Sequence, residues 1–195
     1  KRFGAAWSKG ETVIASIGQG YVLTSPLQIS RYLSALVNGG KLMKPELVQT
    51  EAPRLDATLP VKDSDRQIIL DAMVTTVEQG TGKSLLRSDV VTGAKTGTAQ
   101  VVKLINADVR QKTAQMPYEQ RDHAWVASWG RKDGKTYVVV CLVEHGGHGG
   151  EVSGPIVRKV YEQLFGPAPA RSSRSAAPAA PAAAAPTTDP ADVGD

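Results

Sequence analysis

Gly93-Ala-Lys-Thr-Gly-Thr-Ala-Gln100 is the stretch on which the fold turns. Ala94 to Val102 reads as a strand, with Gly93 and Gly97 as points where another backbone or side chain comes close. A strand edge facing a cleft offers backbone N–H groups, here flanked by the hydroxyls of Thr96 and Thr98. Lys95 adds a fixed positive charge. Gly97 removes a side chain, so an extended ligand can lie against the backbone as an added strand. Such an edge suits the carboxylate of a peptide C-terminus, and the Thr98 N–H can face a developing oxyanion. Taken alone, Lys95-Thr96-Gly97 is weak, since a given tripeptide occurs by chance in a chain of this size at roughly a few per cent.

Working outward, the polar run from Lys103 to Asp122 is too long for a mere connection. Its mixed charges suit a solvated excursion. His123–Trp129 and Thr136–Val143 are strands joined at Asp133-Gly134, a hairpin turn pair. Trp125 and Trp129 alternate with small residues and are expected in the core. Gly146-Gly147 and Gly149-Gly150 read as a glycine-rich turn, after which Pro155 opens a last helix through Ile156, Val157, Val160, Tyr161 and Leu164. Upstream, Ser25-Pro26 starts a helix whose apolar positions Ile29, Leu33, Leu36 and Val37 follow a 3.6-residue period, and Asn38-Gly39-Gly40 stops it. A further helix starts at Ser64, where Ser64-Asp-Arg-Gln67 has capping-box form, and buries Ile68, Ile69, Met73, Val74 and Val77. Gly80-Thr81-Gly82 closes it. Helices followed by antiparallel strands and a final helix predict an α+β layer architecture.

The chain has 195 residues and carries a formal net charge of +4. Residues 1–166 are expected to fold as one unit. In the stretch 167–195, 11 Ala and 6 Pro leave nothing large to bury, so a disordered tail is expected. The positive charge is dispersed, no basic helix is interleaved with aromatics, and nucleic acid is not an expected partner. The single Cys141 excludes an internal disulfide and lies in the longest apolar run, Tyr137–Val143, far short of a membrane span. The sequence begins with Lys1 and shows no secretory signal, which suggests part of a longer polypeptide.

The segment Gly93–Gln100 resembles the third active-site motif of penicillin-binding proteins, the partner of S-x-x-K and S-x-N motifs. Ser16-Ile-Gly-Gln-Gly-Tyr21, Thr24-Ser-Pro-Leu-Gln28 and Asn38-Gly-Gly40 are similar to the class B transpeptidases of the elongation type. His123-Ala-Trp-Val-Ala127 and Val143-Glu-His-Gly-Gly147 match that family's last two strands. The similarity runs from about Trp7 to Phe165 and implies the penicillin-binding/serine β-lactamase-like fold, in its C-terminal portion. It further implies a D,D-transpeptidase that cross-links peptidoglycan stem peptides ending in D-Ala-D-Ala through a serine acyl-enzyme, with β-lactams acylating the same serine. By position, Lys95 and Thr98 would be catalytic. Thr96, Gly97, Thr98, Ala99 and Gln100 would bind substrate. The position of the run from Lys103 to Asp122 in the family implies the alternative to a solvated excursion, a flap bordering the cleft. The family implies no cofactor, a polytopic glycan polymerase and the elongation machinery as partners, and a membrane anchor with this region on the periplasmic side.

No serine in the chain has a lysine three residues on, and no S-x-N occurs. The nucleophile, its lysine and the middle motif lie in the family ahead of the Gly-Gln-Gly segment. The chain is therefore expected to be a C-terminal part, inactive alone, with apolar helix faces left exposed. A non-catalytic module that binds stem peptides or a protein is the rival reading, and a serine β-lactamase a lesser one. His145-Gly-Gly-His148 invites a metal, but the glycines preorganise nothing and no third ligand is evident, so no metal site is expected. A Ser-His-Asp triad is set aside for want of Gly-x-Ser-x-Gly.

Overall fold

Ser25, Pro26 and Gln28 begin a helix in the way their chemistry dictates. The Ser25 hydroxyl accepts from Gln28 N–H, the Gln28 side chain accepts from Ser25 N–H at 2.8 Å, and Pro26 takes the first turn. The computed structural model describes residues 7–48, 52–102 and 115–169. The elements in order are α1 (Lys9–Ser16), α2 (Pro26–Val37), β1 (Lys41–Met43), β2 (Leu55–Thr58), α3 (Asp63–Glu78), β3 (Val91–Ala99), β4 (His123–Lys132), β5 (Lys135–Val143) and α4 (Gly149–Phe165). Most of the expected tail, and the run 103–114 of the long polar segment, lie outside the described residues.

β3, β4 and β5 form an antiparallel sheet in that order, and β1 and β2 a separate antiparallel pair. The β4–β5 turn has positive φ at both central residues, 50° at Asp133 and 74° at Gly134, the backbone that a two-residue hairpin needs. Side chains alternate between the two sheet faces. Ala94 and Val126 point to one face and pack with Val77, Leu85, Val157 and Tyr161 beneath α4. Trp129 points to the other and packs with Leu33 and Leu36 of α2 and Leu70 and Met73 of α3. Each large aliphatic side chain removed from water in these layers is worth about 1.5–3 kcal/mol. Ser128 joins the sheet to α4, its hydroxyl reaching Val139 O at 3.0 Å and the Tyr161 hydroxyl at 2.9 Å. Burial pushes the Tyr161 phenol above its ordinary range, so it keeps its proton.

Four sequence expectations are corrected. The strand expected at Ala94–Val102 occupies Val91–Ala99, because β4 runs on to Lys132 and pairs Val91 with Arg131 and Ala99 with His123. α3 starts at Asp63 without a side-chain cap; Ser64 bonds Asp65 and Gln67 bonds Asp71, so the expected capping box does not form. Its buried stripe is Leu70, Met73 and Val77, whereas Ile68 is 66% exposed and Ile69 also faces out. The last helix begins at Gly149, and Pro155 sits inside it. There Ile156, Val160 and Leu164 are more than a third exposed, while Val157 and Tyr161 are buried.

Of the glycines expected in a turn, Gly147 adopts the positive φ of one, 86°, whereas Gly149 and Gly150 are there for proximity. A Cβ on Gly149 would stand 2.1 Å from Trp125 O and 2.6 Å from Gly97 O, and one on Gly150 2.4 Å from Thr81 O. α4 therefore lies flat on the sheet only with hydrogen at these positions. Gly149→Ala is expected to destabilise the chain by about 1–3 kcal/mol, as overpacking against backbone does. Chemical denaturation of the variant against the parent chain measures it. Gly93 obeys the same rule on the other face, where a Cβ would fall 2.4 Å from Trp129 Nε1.

α1 went unrecognised in the sequence, although Ser8 and Glu11 form a capping box at its start. None of its residues is buried. Ile17 is 73% and Leu23 68% exposed, with Val13, Tyr21, Val22 and Leu27 also outward. The expectation of uncovered apolar faces concerned α2 and α3, and there Leu27 and Tyr32, and Ile68 and Ile69, are exposed.

Candidate active site

Among the described residues β3 is an edge strand, which puts Lys95 to Ala99 where a ligand can reach the backbone. Gly97 pairs with Trp125, and the carbonyls of both lie within reach of one point above the ladder, the position of the Gly149 Cβ. Carbonyls that close together both point between the strands, so Gly97 and Trp125 are a hydrogen-bonded pair. The alternation of an antiparallel ladder then turns the N–H and C=O of Thr96 and Thr98 away from β4, to the open edge. Two side chains meet these carbonyls: Lys95 Nζ donates to Thr96 O at 2.7 Å, and Gln19 Nε2 donates to Thr98 O at 3.0 Å.

The six residues singled out from the sequence stand close together but are not equivalent. Lys95 is exposed, Thr96, Gly97, Thr98 and Ala99 are half-buried, and Gln100 is exposed just past the strand end. Thr96 and Thr98 share the face that carries α4. The Thr96 hydroxyl is 2.7 Å from that of Thr81, in the turn after α3. α4 begins beside Thr96: a Cβ on Gly150 would be 3.6 Å from Thr96 Cγ2. The positive end of that helix dipole, the Lys95 ammonium and the outward N–H groups together favour a group that is anionic and accepts hydrogen bonds.

Beyond the end of β3, the start of β4 and the end of β5 carry a cluster of rings. His145 N–H donates to His123 Nδ1 at 2.9 Å, and the two rings meet edge-on with centroids 4.7 Å apart. Tyr118 lies 5.0 Å from the His145 ring, and Gly147 N–H donates to Asp122 O at 2.8 Å. His145 thus turns toward His123, while His148 stands ahead of α4 as its N-cap residue. Among the described residues no group of three potential metal ligands occurs. At the opposite end of the sheet lies a concavity lined in part by Val74, Val77, Leu86, Arg87, Asp89 and Lys132, where Asp89 pairs with both Arg87 and Lys132.

Sequence reasoning missed two residues here. Thr81 was read only as part of a helix stop, and nothing local signals its contact with Thr96. Gln19 stands in the sequence only as a member of the Ser16–Tyr21 stretch that carries the family resemblance. The positive φ of Gly18 and Gly20, 76° and 72°, brings it to the strand, and that pair of glycines was the available clue.

A three-stranded antiparallel sheet covered by a C-terminal helix, with a Lys-Thr-Gly-Thr edge strand, defines part of an α+β transpeptidase domain. The chain belongs to the family described as the penicillin binding protein transpeptidase domain, whose model matches residues 2–162. It is 32% identical over 176 residues to the peptidoglycan D,D-transpeptidase MrdA of Haemophilus influenzae, covering 83% of this chain and 27% of that protein. It is 26% identical over 177 residues to MrdA of Escherichia coli, covering 84% and 28%. The chain thus spans a little over a quarter of the length of these curated relatives. Among solved structures, PBP2 of Helicobacter pylori in complex with MreC superposes with a TM-score of 0.65 at 29% identity, over 84% of this chain and 30% of that one. PBP2 of Pseudomonas aeruginosa in complex with WCK 5153 gives 0.65 at 25% identity, over 88% and 37%.

Proposed function

We propose that this chain forms one wall of the active site of a peptidoglycan D,D-transpeptidase of the elongation type, whose nucleophilic serine lies elsewhere in the polypeptide. The observation that carries this reading is the outward Thr98 N–H on an edge strand beside Lys95 and the start of α4. The donor substrate is a stem peptide ending in D-Ala-D-Ala, laid along β3 with its carboxylate toward Lys95 and the Thr96 and Thr98 hydroxyls. To take that role, the Thr96 hydroxyl donates to the carboxylate while still accepting from Thr81. Attack by the serine on the penultimate D-Ala carbonyl gives a tetrahedral oxyanion, and the Thr98 N–H donates to it. The terminal D-Ala leaves with the proton relayed from the serine, and an acceptor amine on a second stem resolves the acyl-enzyme into the cross-link. Gly97, Ala99 and Gln100 line the path of the donor. No cofactor enters this chemistry.

The solved relative bound to MreC supports a place in the cell-elongation machinery; a polytopic glycan polymerase is the further partner that the family resemblance implies. The site then works on the outer face of the cytoplasmic membrane. No helix among the described residues is long and apolar enough to cross a membrane.

Fluorescent penicillin applied to native cells, with an antibody to this segment, tests the reading. The expected result is a covalently labelled band well above the 20.6 kDa of this chain. An unlabelled band at that mass would instead favour a module that binds stem peptides without acylation, the reading to which the missing S-x-x-K serine points.

A further inference from the structure

We propose that Gln19 is a positioning residue for the transpeptidase edge strand: its carboxamide occupies the Thr98 carbonyl and keeps the open edge of β3 a surface of hydrogen-bond donors. This deepens the function proposed above and rests on it. Three observations meet at this point. Gln19 Nε2 donates to Thr98 O at 3.0 Å across 79 residues of sequence, in a partly buried contact. The segment that delivers it is shallowly packed, since α1 buries no residue and Ile17 is exposed. Gly18 closes α1 at positive φ, with Gln19 N–H bonded to Ile14 O at 3.1 Å, and together with Gly20, also at positive φ, it makes the turn from which the Gln19 side chain reaches Thr98.

The consequence follows from the parity of the ladder. A residue facing an open edge presents one donor and one acceptor, and an edge of that kind accepts any extended chain. Here Lys95 meets the Thr96 carbonyl and Gln19 meets the Thr98 carbonyl, so the N–H groups dominate what an incoming ligand finds. A carboxylate and an oxyanion are acceptors only, and the edge is matched to them. Gln19 also holds the Thr98–Ala99 peptide plane, and through the Thr98 Cα it limits how far the Thr98 N–H can swing from the cleft. An acyl donor that brings an amide N–H to Thr98 must share the carbonyl with Gln19 on its second lone pair.

Two measurements decide this. In the present chain, Gln19→Ala is expected to speed hydrogen exchange at the Ala99 amide about tenfold, as the end of the β3–β4 ladder loosens, with core amides such as that of Val126 unchanged. Unchanged exchange at Ala99 overturns the proposal. In the complete transpeptidase, Gln19→Ala is expected to slow acylation by fluorescent penicillin about tenfold. Gln19→Glu, the same shape without the donor, is slowed at neutral pH and regains rate toward about pH 5, as its carboxyl takes up the proton it can donate. Equal slowing of both variants at every pH would mean a merely structural role and overturns the proposal. A wild-type protein that takes no label would sink the transpeptidase reading instead, while the exchange at Ala99 still decides whether Gln19 holds the strand.

Discussion

Lys95→Ala in the complete transpeptidase is expected to lower the rate of acylation by fluorescent penicillin by about 10²–10³, the scale seen when one preorganised electrostatic donor is taken from an acyl-transfer site. Lys95 is exposed at the strand edge, and its ammonium donates to Thr96 O. It is therefore held where a substrate carboxylate would arrive, and its alkyl stem makes no part of either core cluster. Thermal stability should accordingly be almost unchanged, which separates a functional loss from a folding one. Lys95→Arg keeps the charge but spreads it over a planar fork, so a partial loss is expected. An alanine variant acylated at the parental rate would remove Lys95 from the site.

The second large effect concerns stability. Asp89 accepts two bonds from Arg87, Nε at 3.0 Å and NH2 at 2.8 Å, and a third from Lys132 Nζ at 2.8 Å. The Arg87 side chain is fully buried, at 0% exposure, and its NH1 has no partner, so it depends on this carboxylate. The two cations also reach the end of α4, Arg87 to Gly166 O at 3.0 Å and Lys132 to Phe165 O at 3.3 Å. Asp89 thus orders a clamp between β3, the β4–β5 hairpin and the negative end of α4. Asp89→Ala strands a buried guanidinium, and a loss of about 3–5 kcal/mol is expected by chemical denaturation.

That carboxylate also sets a pH dependence. The Arg87 hydrogen bonds, and after them those of Lys132, hold Asp89 well below the usual carboxylate range, outweighing the opposite push of burial. Because the folded value is the lower one, the unfolded chain binds the extra proton. The stabilisation is full above the unfolded value near about pH 4 and drains away as the pH falls further. Asp89→Asn should be less stable than the parent at neutral pH and lose less than the parent does below about pH 4. Parallel acid profiles for the two proteins would contradict this.

How far the sequence foretold these features depended on where their causes lie. α2 and the β4–β5 hairpin were legible because their causes are local: a capping serine with proline, and Asp133-Gly134 between alternating strands. Gly93 was legible as a point of close approach, and Trp129 is what approaches it. The start of α4 was not legible, since Gly149, Gly150 and Gly154 are poor helix formers. They are glycines because Trp125 O, Thr81 O and the Ser84 hydroxyl crowd them, and those are tertiary neighbours. The stripe of α3 was misplaced for a similar reason, as Leu70 rather than Ile68 meets Trp129. In the site, the Lys95–Thr98 motif gave the residues and their strand, while the hold of Gln19 on Thr98 and of Thr81 on Thr96 join segments that no local pattern connects.

The donor-rich edge of β3 bears on how copies of this chain behave toward one another. Bare edge strands recruit their own kind, and two copies of β3 brought side by side would try to zip into a continuous sheet. At Thr96 and Thr98 the visiting strand's carbonyls would find N–H groups, but its own N–H groups would have to share carbonyls that already accept from Lys95 and Gln19. Such a seam is weakened at these positions and brings the Lys95 of each copy into one sheet. The features that ready this edge for a small anionic guest thereby also act as a guard against fibrillar self-association.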